Sequence, residues 1–278
     1  MKDYLQVESQ FVTGKEATYA YRQIGREGGR LLLLLPHLAA TMDNWDARLM
    51  NALAKDYQLL VFDNQGVGVS SGKVQASIEG MAVGVLDFVT AMKLERFDLM
   101  GMSMGGFVAQ EFLALAPEKV DKLILAGTGP RGGQGIEQIR KVTFSDMFRA
   151  GLERTDPKRF LFFNHDEKGK RFADNFLNSL NRRSKDNQDK AIKLSSFLKQ
   201  LGAIKRWGQA PAADLSLIKQ ATLVINGDND RMVPTRNSYD LAKGLSNSQL
   251  SIHPEAGHGI IFQYPETIAT EIRHFLEN

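Results

Sequence analysis

The chain has no cysteine in its 278 residues, and that single absence removes disulfides, cysteine nucleophiles and thiolate metal sites together. It also lacks any apolar run approaching the ~20 residues that a bilayer-spanning helix needs. The opening MKDYLQVESQ has neither an apolar targeting segment nor a cleavage site, so a cytoplasmic location is expected. Histidine is scarce as well. With only five, at 37, 165, 253, 258 and 274, the search for a general base is short. The glycine-rich GTGPRGGQG (127 to 135) has no following Lys-Ser/Thr, which argues against a phosphate cradle.

What is present fits an ordinary globular domain, with 43% hydrophobic and 24% charged residues. Its length suits one large α/β domain or a domain with an insertion. The net charge of +3 is unevenly spread: Arg131 to Ala210 holds 18 Lys+Arg against 9 Asp+Glu, and the remainder 17 against 23. Solvated helix faces on an inserted segment would produce that island. A basic face for an acidic partner, such as a carrier protein bearing an acyl group, is the other reading.

Short apolar runs alternate with amphipathic stretches along most of the chain. The runs are LLLLL (31 to 35), YQLLVF (57 to 62), FDLMG (97 to 101), VDKLILAG (120 to 127), ATLVING (221 to 227) and LSIHP (250 to 254). Helical patterns fall at Asn44 to Ala54, Ile78 to Met92, Met104 to Ala116 and Pro234 to Leu245. Continuously apolar strands separated by helices indicate a parallel sheet covered on both faces. The opening YLQVESQFV and ATYAYRQIG alternate instead, and read as an antiparallel hairpin at one edge. Between 131 and 209 the rhythm stops: IEQIRKVTFSDMFRAG, KRFADNFLNSLNRR and KDNQDKAIKLSSFLKQLGAIKRWG are helical and charged, with no strand. That divides the chain into a core, 1–130 with 210–278, and a helical cap, 131–209.

The chemistry is carried by FDLMGMSMGGFVAQEF. A strand ends, Gly101-Met102-Ser103-Met104-Gly105 turns, and a helix begins at once. Glycines permit the tight turn that lifts the serine hydroxyl above the sheet, and the helix start behind it offers unpaired amides to developing negative charge. Such a serine needs a base, and the base needs a carboxylate to fix its tautomer. His258, in the glycine-flanked EAGHG after the last strand, is the candidate base. His253 falls at the end of that strand, His274 on the terminal helix and His165 in the cap. The strand ATLVING runs into Asp228-Asn229-Asp230, where two aspartates compete: Asp230 deeper in the loop, Asp228 placed to brace the turn. Their spacing is not that of a calcium loop.

GMSMGG, GDNDRMVP and EAGHG resemble the nucleophile elbow, acid loop and histidine loop of the α/β-hydrolase superfamily, and FDNQGVGVSSG resembles its D-x-R-G-x-G-x-S turn. The resemblance covers nearly the whole chain. It implies an eight-stranded, mostly parallel sheet with flanking helices and an inserted cap, with Ser103 as nucleophile, Asp230 as orienting acid and His258 as base. It further implies an oxyanion hole from two backbone amides. Met104 supplies one; the other belongs to the residue after a His-Gly pair, which is Leu38 when counted back from Trp45 and Ala39 when counted from His37. Gln65 replaces the usual arginine of the turn, and its amide is expected to hydrogen-bond nearby carbonyls. Trp45, Phe144, Phe148 and Phe162 are expected to line the substrate pocket.

The expected activity is hydrolysis of a small apolar carboxylic ester or lactone through an acyl-enzyme, without metal or other cofactor and without nucleic-acid or membrane partners. A C-C bond hydrolase or a cofactor-free perhydrolase is the alternative within this fold. A small-molecule receptor with a relic triad is the alternative outside enzymes.

Overall fold

Five leucines in succession suit a strand buried on both faces, and Leu31–Leu35 forms the third strand in chain order, with its last four residues buried. The computed structural model describes residues 2–180, 183 and 188–278. Eight strands make one sheet: β1 Gln10–Thr13, β2 Thr18–Gly25, β3 Leu31–Leu35, β4 Gln58–Phe62, β5 Phe97–Met102, β6 Val120–Ala126, β7 Ala221–Gly227 and β8 Ser248–His253. Their spatial order is β1-β2-β4-β3-β5-β6-β7-β8. The first two pairings are antiparallel and the rest parallel.

The expected hairpin is there, but it is shorter than its sequence suggested. Tyr4–Gln6 is a turn of 3-10 helix, because the Asp3 carboxylate caps the Leu5 N–H and the Tyr4 hydroxyl reaches the Met42 carbonyl at 2.6 Å. The chain is thereby held on the core before β1 begins.

Helices cover both faces. On one side lie α2 Ile78–Ala91, α3 Met104–Leu115 and α7 Leu194–Gln209; on the other lie α1 Ala47–Leu53, α6 Glu167–Leu180, α9 Ile260–Gln263 and α10 Pro265–Glu277. The two remaining cap helices are α4 Ile139–Leu152 and α5 Lys158–Phe162, and α8 Arg236–Gly244 follows β7. The cap's last segment is helical only from Leu194, since Gln188 to Lys193 runs without regular structure. Parts of the helical patterns expected over 170–183 and 185–208 lie outside the described residues. No helix among the described residues is long and apolar enough to cross a membrane.

Parallel pairing has one functional consequence. The C-terminal ends of β3, β5, β6, β7 and β8 all open on the same edge of the sheet, so the residues that follow each strand meet there although they are far apart in sequence.

Candidate active site

Ser103 sits between β5 and α3 with φ 54 and ψ −118, a conformation that side-chain-bearing residues rarely adopt. It is held there from both directions. Its N–H donates to the Ala126 carbonyl at 2.9 Å, and its own carbonyl accepts from the Thr128 hydroxyl and the Gly106 N–H, both at 2.8 Å. The neighbouring glycine is obligatory: a Cβ at Gly105 would run into the Leu35 carbonyl, so α3 packs against β3 only with no side chain at that position.

The Ser103 Oγ lies 2.9 Å from His258 Nε2, and His258 Nδ1 lies 2.8 Å from Asp230 Oδ2. A carboxylate can only accept, so Nδ1 carries the proton and Nε2 is left as the acceptor facing the serine. All three side chains are buried. The other Asp230 oxygen accepts the Met232 N–H at 2.8 Å and the Val233 N–H at 2.9 Å, which fixes the carboxylate plane. Asp228 does different work. It is exposed, and its Oδ1 accepts the Ala256 N–H at 3.1 Å while the Asn229 N–H donates to the Ala256 carbonyl at 2.9 Å, tying the acid loop to the histidine loop.

Two backbone amides lie close to Ser103: Leu38 lines the same cavity, and Met104 follows the serine directly. Neither the Leu38 N–H nor the Met104 N–H has a hydrogen-bond partner among the described residues. The Ala39 N–H, the competing candidate, donates to Gln200 Oε1 at 2.9 Å and is thereby engaged. His37 is buried beside Phe162, with ring centroids 4.9 Å apart. Its Nδ1 sits 2.8 Å from the Leu38 carbonyl and therefore holds the proton, while Nε2 has no partner among the described residues. Burial drives its pKa down to about 3.

A stability prediction follows from that depression. Between the unfolded value near 6.5 and the folded value of about 3, the unfolded chain binds a proton that the folded chain refuses, so stability falls as pH falls. From pH 7.5 to 5, His37→Gln should lose about 2 kcal/mol less unfolding free energy than wild type. Urea titrations of both proteins at the two pH values measure it; parallel losses would show that His37 titrates normally.

A cavity of about 690 Å³ opens above Ser103 and His258. Phe162 lines it, as expected, but the other three expected pocket residues do not. Trp45 is 3% exposed and packs in the core beside Met42 and Met50. Phe144 and Phe148 lie on the outer face of α4, Phe148 being 70% exposed. The face of α4 turned inward carries Ile139, Thr143, Asp146 and Ala150 at helical spacing, which leaves the two phenylalanines outside. Met147, Leu161, Ile192 and Phe197 supply apolar lining instead.

The polar side of the cavity was not anticipated. Asp43 and Asp189 line it, backed by two buried arginines: Arg22 reaches Asp43 at 2.6 Å and Asp189 at 3.0 Å, and Arg183 reaches Asp43 at 3.1 Å. Burial raises the pKa of Asp189. One signal was available in the sequence. Arg22 shares the face of β2 with Ala20 and Ile24, so strand alternation alone puts an arginine in the core. Gln65 uses its amide otherwise than expected, its Oε1 accepting from the Gln75 side chain at 3.1 Å. The buried Asp63 of the same turn accepts the Met42 and Val69 N–H groups.

Residues 30–265 match the alpha/beta hydrolase fold family. The chain belongs to that family. A carbamate hydrolase RutD of Rhizobium rhizogenes, its activity provisional by name, is 26% identical over 263 residues, covering 91% of this chain and 95% of the relative. A 2-hydroxy-6-oxononadienedioate/2-hydroxy-6-oxononatrienedioate hydrolase of Escherichia coli O81 is also 26% identical, covering 98% and 94%. Among solved structures, an alpha/beta hydrolase fold protein from Chitinophaga pinensis is 32% identical with a TM-score of 0.93, each chain fully covered. This alpha/beta hydrolase is therefore an enzyme of the hydrolase class.

Proposed function

We propose that the enzyme is a serine hydrolase that cleaves a small neutral carboxylic ester or lactone through an acyl-enzyme. The observation that carries the reading is the chain of contacts from Asp230 through His258 to Ser103 in the cavity, with the Leu38 and Met104 amides unpartnered among the described residues. His258 takes the Ser103 proton as Oγ attacks the carbonyl carbon. The Leu38 and Met104 N–H groups receive the negative charge on the carbonyl oxygen, each contributing about 3 kcal/mol to transition-state stabilisation. The tetrahedral adduct collapses as His258 returns the proton to the leaving alcohol. Water, deprotonated by the same imidazole, then releases the acid and restores Ser103.

The lining favours a neutral substrate. Asp43 and Asp189 are matched by Arg22 and Arg183, and Lys158 pairs with Asp156 at 3.2 Å, so among the described lining residues Lys158, the one cation, is already engaged. A dianionic oxo-acid such as the substrate in the Escherichia coli relative's name would meet three carboxylates and, among the described residues, no spare positive charge. Carbamates, named for the Rhizobium relative, present the same carbonyl to the same groups and are the second substrate class to examine.

The test is turnover of short-chain nitrophenyl esters, lactones, aryl carbamates and oxo-dioates, with end-point labelling by a fluorophosphonate. The expected result is ester or lactone turnover with the label on Ser103. Failure of Ser103 to label overturns the reading; turnover confined to oxo-dioates replaces it with C-C hydrolysis.

A further inference from the structure

The loop after β3 is built in an unfavourable shape. Ala39 lies at φ 62, in the left-handed region where its Cβ crowds the following carbonyl, and no glycine relieves it. The peptide linking Leu38 to Ala39 is gripped at both ends: its carbonyl accepts from His37 Nδ1 at 2.8 Å and its N–H donates to Gln200 Oε1 at 2.9 Å. That peptide adjoins the one whose N–H, at Leu38, is left without a partner among the described residues. A strained turn persists only where its surroundings over-determine it. Three contacts hold this one, since the Ala40 N–H also donates to the His37 carbonyl at 3.2 Å, and the contact from Gln200 is the one that comes from the cap.

Gln200 is 1% exposed on the inward face of α7, and the helix that carries it is anchored to the core on both sides of that residue. Towards its start the Ser196 hydroxyl donates to the Gly66 carbonyl at 3.2 Å. Towards its end Trp207 lies over Phe107 of α3 with ring centroids 4.3 Å apart, and its indole N–H donates to Glu111 at 3.0 Å. The amide side chain of Gln200 is thus delivered to the loop by a helix whose position is fixed independently of the loop.

We infer that Gln200 is a positioning residue for catalysis, holding the Leu38–Ala39 peptide so that the Leu38 N–H stays aimed at the oxyanion, and that the cap therefore completes the oxyanion hole. This rests on the serine-hydrolase reading above. Without the acceptor, the Ala39 N–H is left unpaired, the left-handed turn relaxes, and the peptide before it turns the Leu38 N–H away. Substrate binding, which depends on the cavity walls, is affected far less than the step in which charge develops.

Gln200→Leu keeps the size and removes the acceptor; Gln200→Glu keeps an acceptor oxygen. The Leu variant should lose about tenfold or more in kcat, a fraction of the 10²- to 10³-fold that deleting a whole donor costs. Its KM for a nitrophenyl ester should stay within about twofold, and its affinity for a boronic acid, which binds serine as a tetrahedral anion, should fall in parallel with kcat. The Glu variant should retain most of both. A purely structural role for α7 would lower melting temperature and raise KM in the two variants alike, leaving the boronate affinity tracking KM. Should the Leu variant fail to fold by circular dichroism, Gln200→Asn, whose amide is too short to reach the loop, is measured the same way. A folded Leu or Asn variant with unchanged kcat and boronate affinity overturns the inference. End-point labelling of Ser103 in wild type separates the two levels: no label sinks the functional reading itself, whereas label with no dependence on Gln200 sinks only this inference.

Discussion

Ser103→Ala and His258→Ala should each lower kcat for an ester by about 10⁶-fold, and the double variant should lose little more than either alone. On the proposed mechanism the non-additivity follows from the geometry: His258 Nε2 takes the proton of an oxygen 2.9 Å away, and without that oxygen there is no serine proton to take. Rates of the three variants on one chromogenic ester measure it, and a Ser103→Ala loss under about 100-fold would mean that water or another group attacks directly. The same assay settles the standing of the histidine that ends the leucine run. His37 is held neutral down to about pH 3, and a base that weak takes no proton from a serine at neutral pH. Its Nδ1 is committed to the Leu38 carbonyl, so His37→Ala acts through the shape of the loop and should cost about tenfold, on the scale of a partly misaligned donor. Equal losses for the two histidines would overturn the assignment of the base.

The candidate site residues that the sequence singled out and the structure brings together share a physical cause. At Ser103, Asp230 and His258 the backbone has few alternatives: Gly105 is forced by the Leu35 carbonyl behind it, and Asp230 closes a local turn onto Met232 and Val233. The residues that meet such constraints lie within a few positions of the functional group, even where the atom imposing them, as at Leu35, is far away in the chain. The sheet was equally legible, because strands buried on both faces leave unbroken apolar runs. The cavity lining was not. The inward face of α4 carries Asp146, which meets Arg231 of the acid loop at 3.3 Å, and the buried Thr143, which lines the cavity, and an apolar count along the helix can weigh neither. Phe144 and Phe148, four residues apart, share one face of α4, and it is the outer one. Gln200 illustrates the same limit at longer range, since its partner Ala39 is 161 residues away. The choice between Leu38 and Ala39, open in the sequence, turns on that contact.

Asp230→Asn should reduce kcat by about 10⁴-fold while leaving the fold intact, because the amide oxygen can still accept the Met232 and Val233 N–H groups but the amide nitrogen then faces His258. An NH₂ group opposite Nδ1 can only donate, so the imidazole moves its proton to Nε2, where it donates towards Ser103 instead of accepting from it. The base is present and in the wrong tautomer. Asp228→Asn is the matched control two residues earlier. Among the described residues its side chain accepts the Ala256 N–H alone, at 3.1 Å from an exposed position, and an asparagine oxygen accepts that bond equally well. Its kcat should remain within about threefold of wild type, whereas Asp228→Ala, which releases the histidine loop, should cost about 1 kcal/mol of stability, the net worth of one hydrogen bond. Steady-state rates and urea midpoints for the three variants test the division of labour. Comparable loss of kcat in Asp228→Asn and Asp230→Asn would mean that the two aspartates share the orienting role, and that the 2.8 Å contact between Asp230 and His258 is not the one on which the tautomer depends.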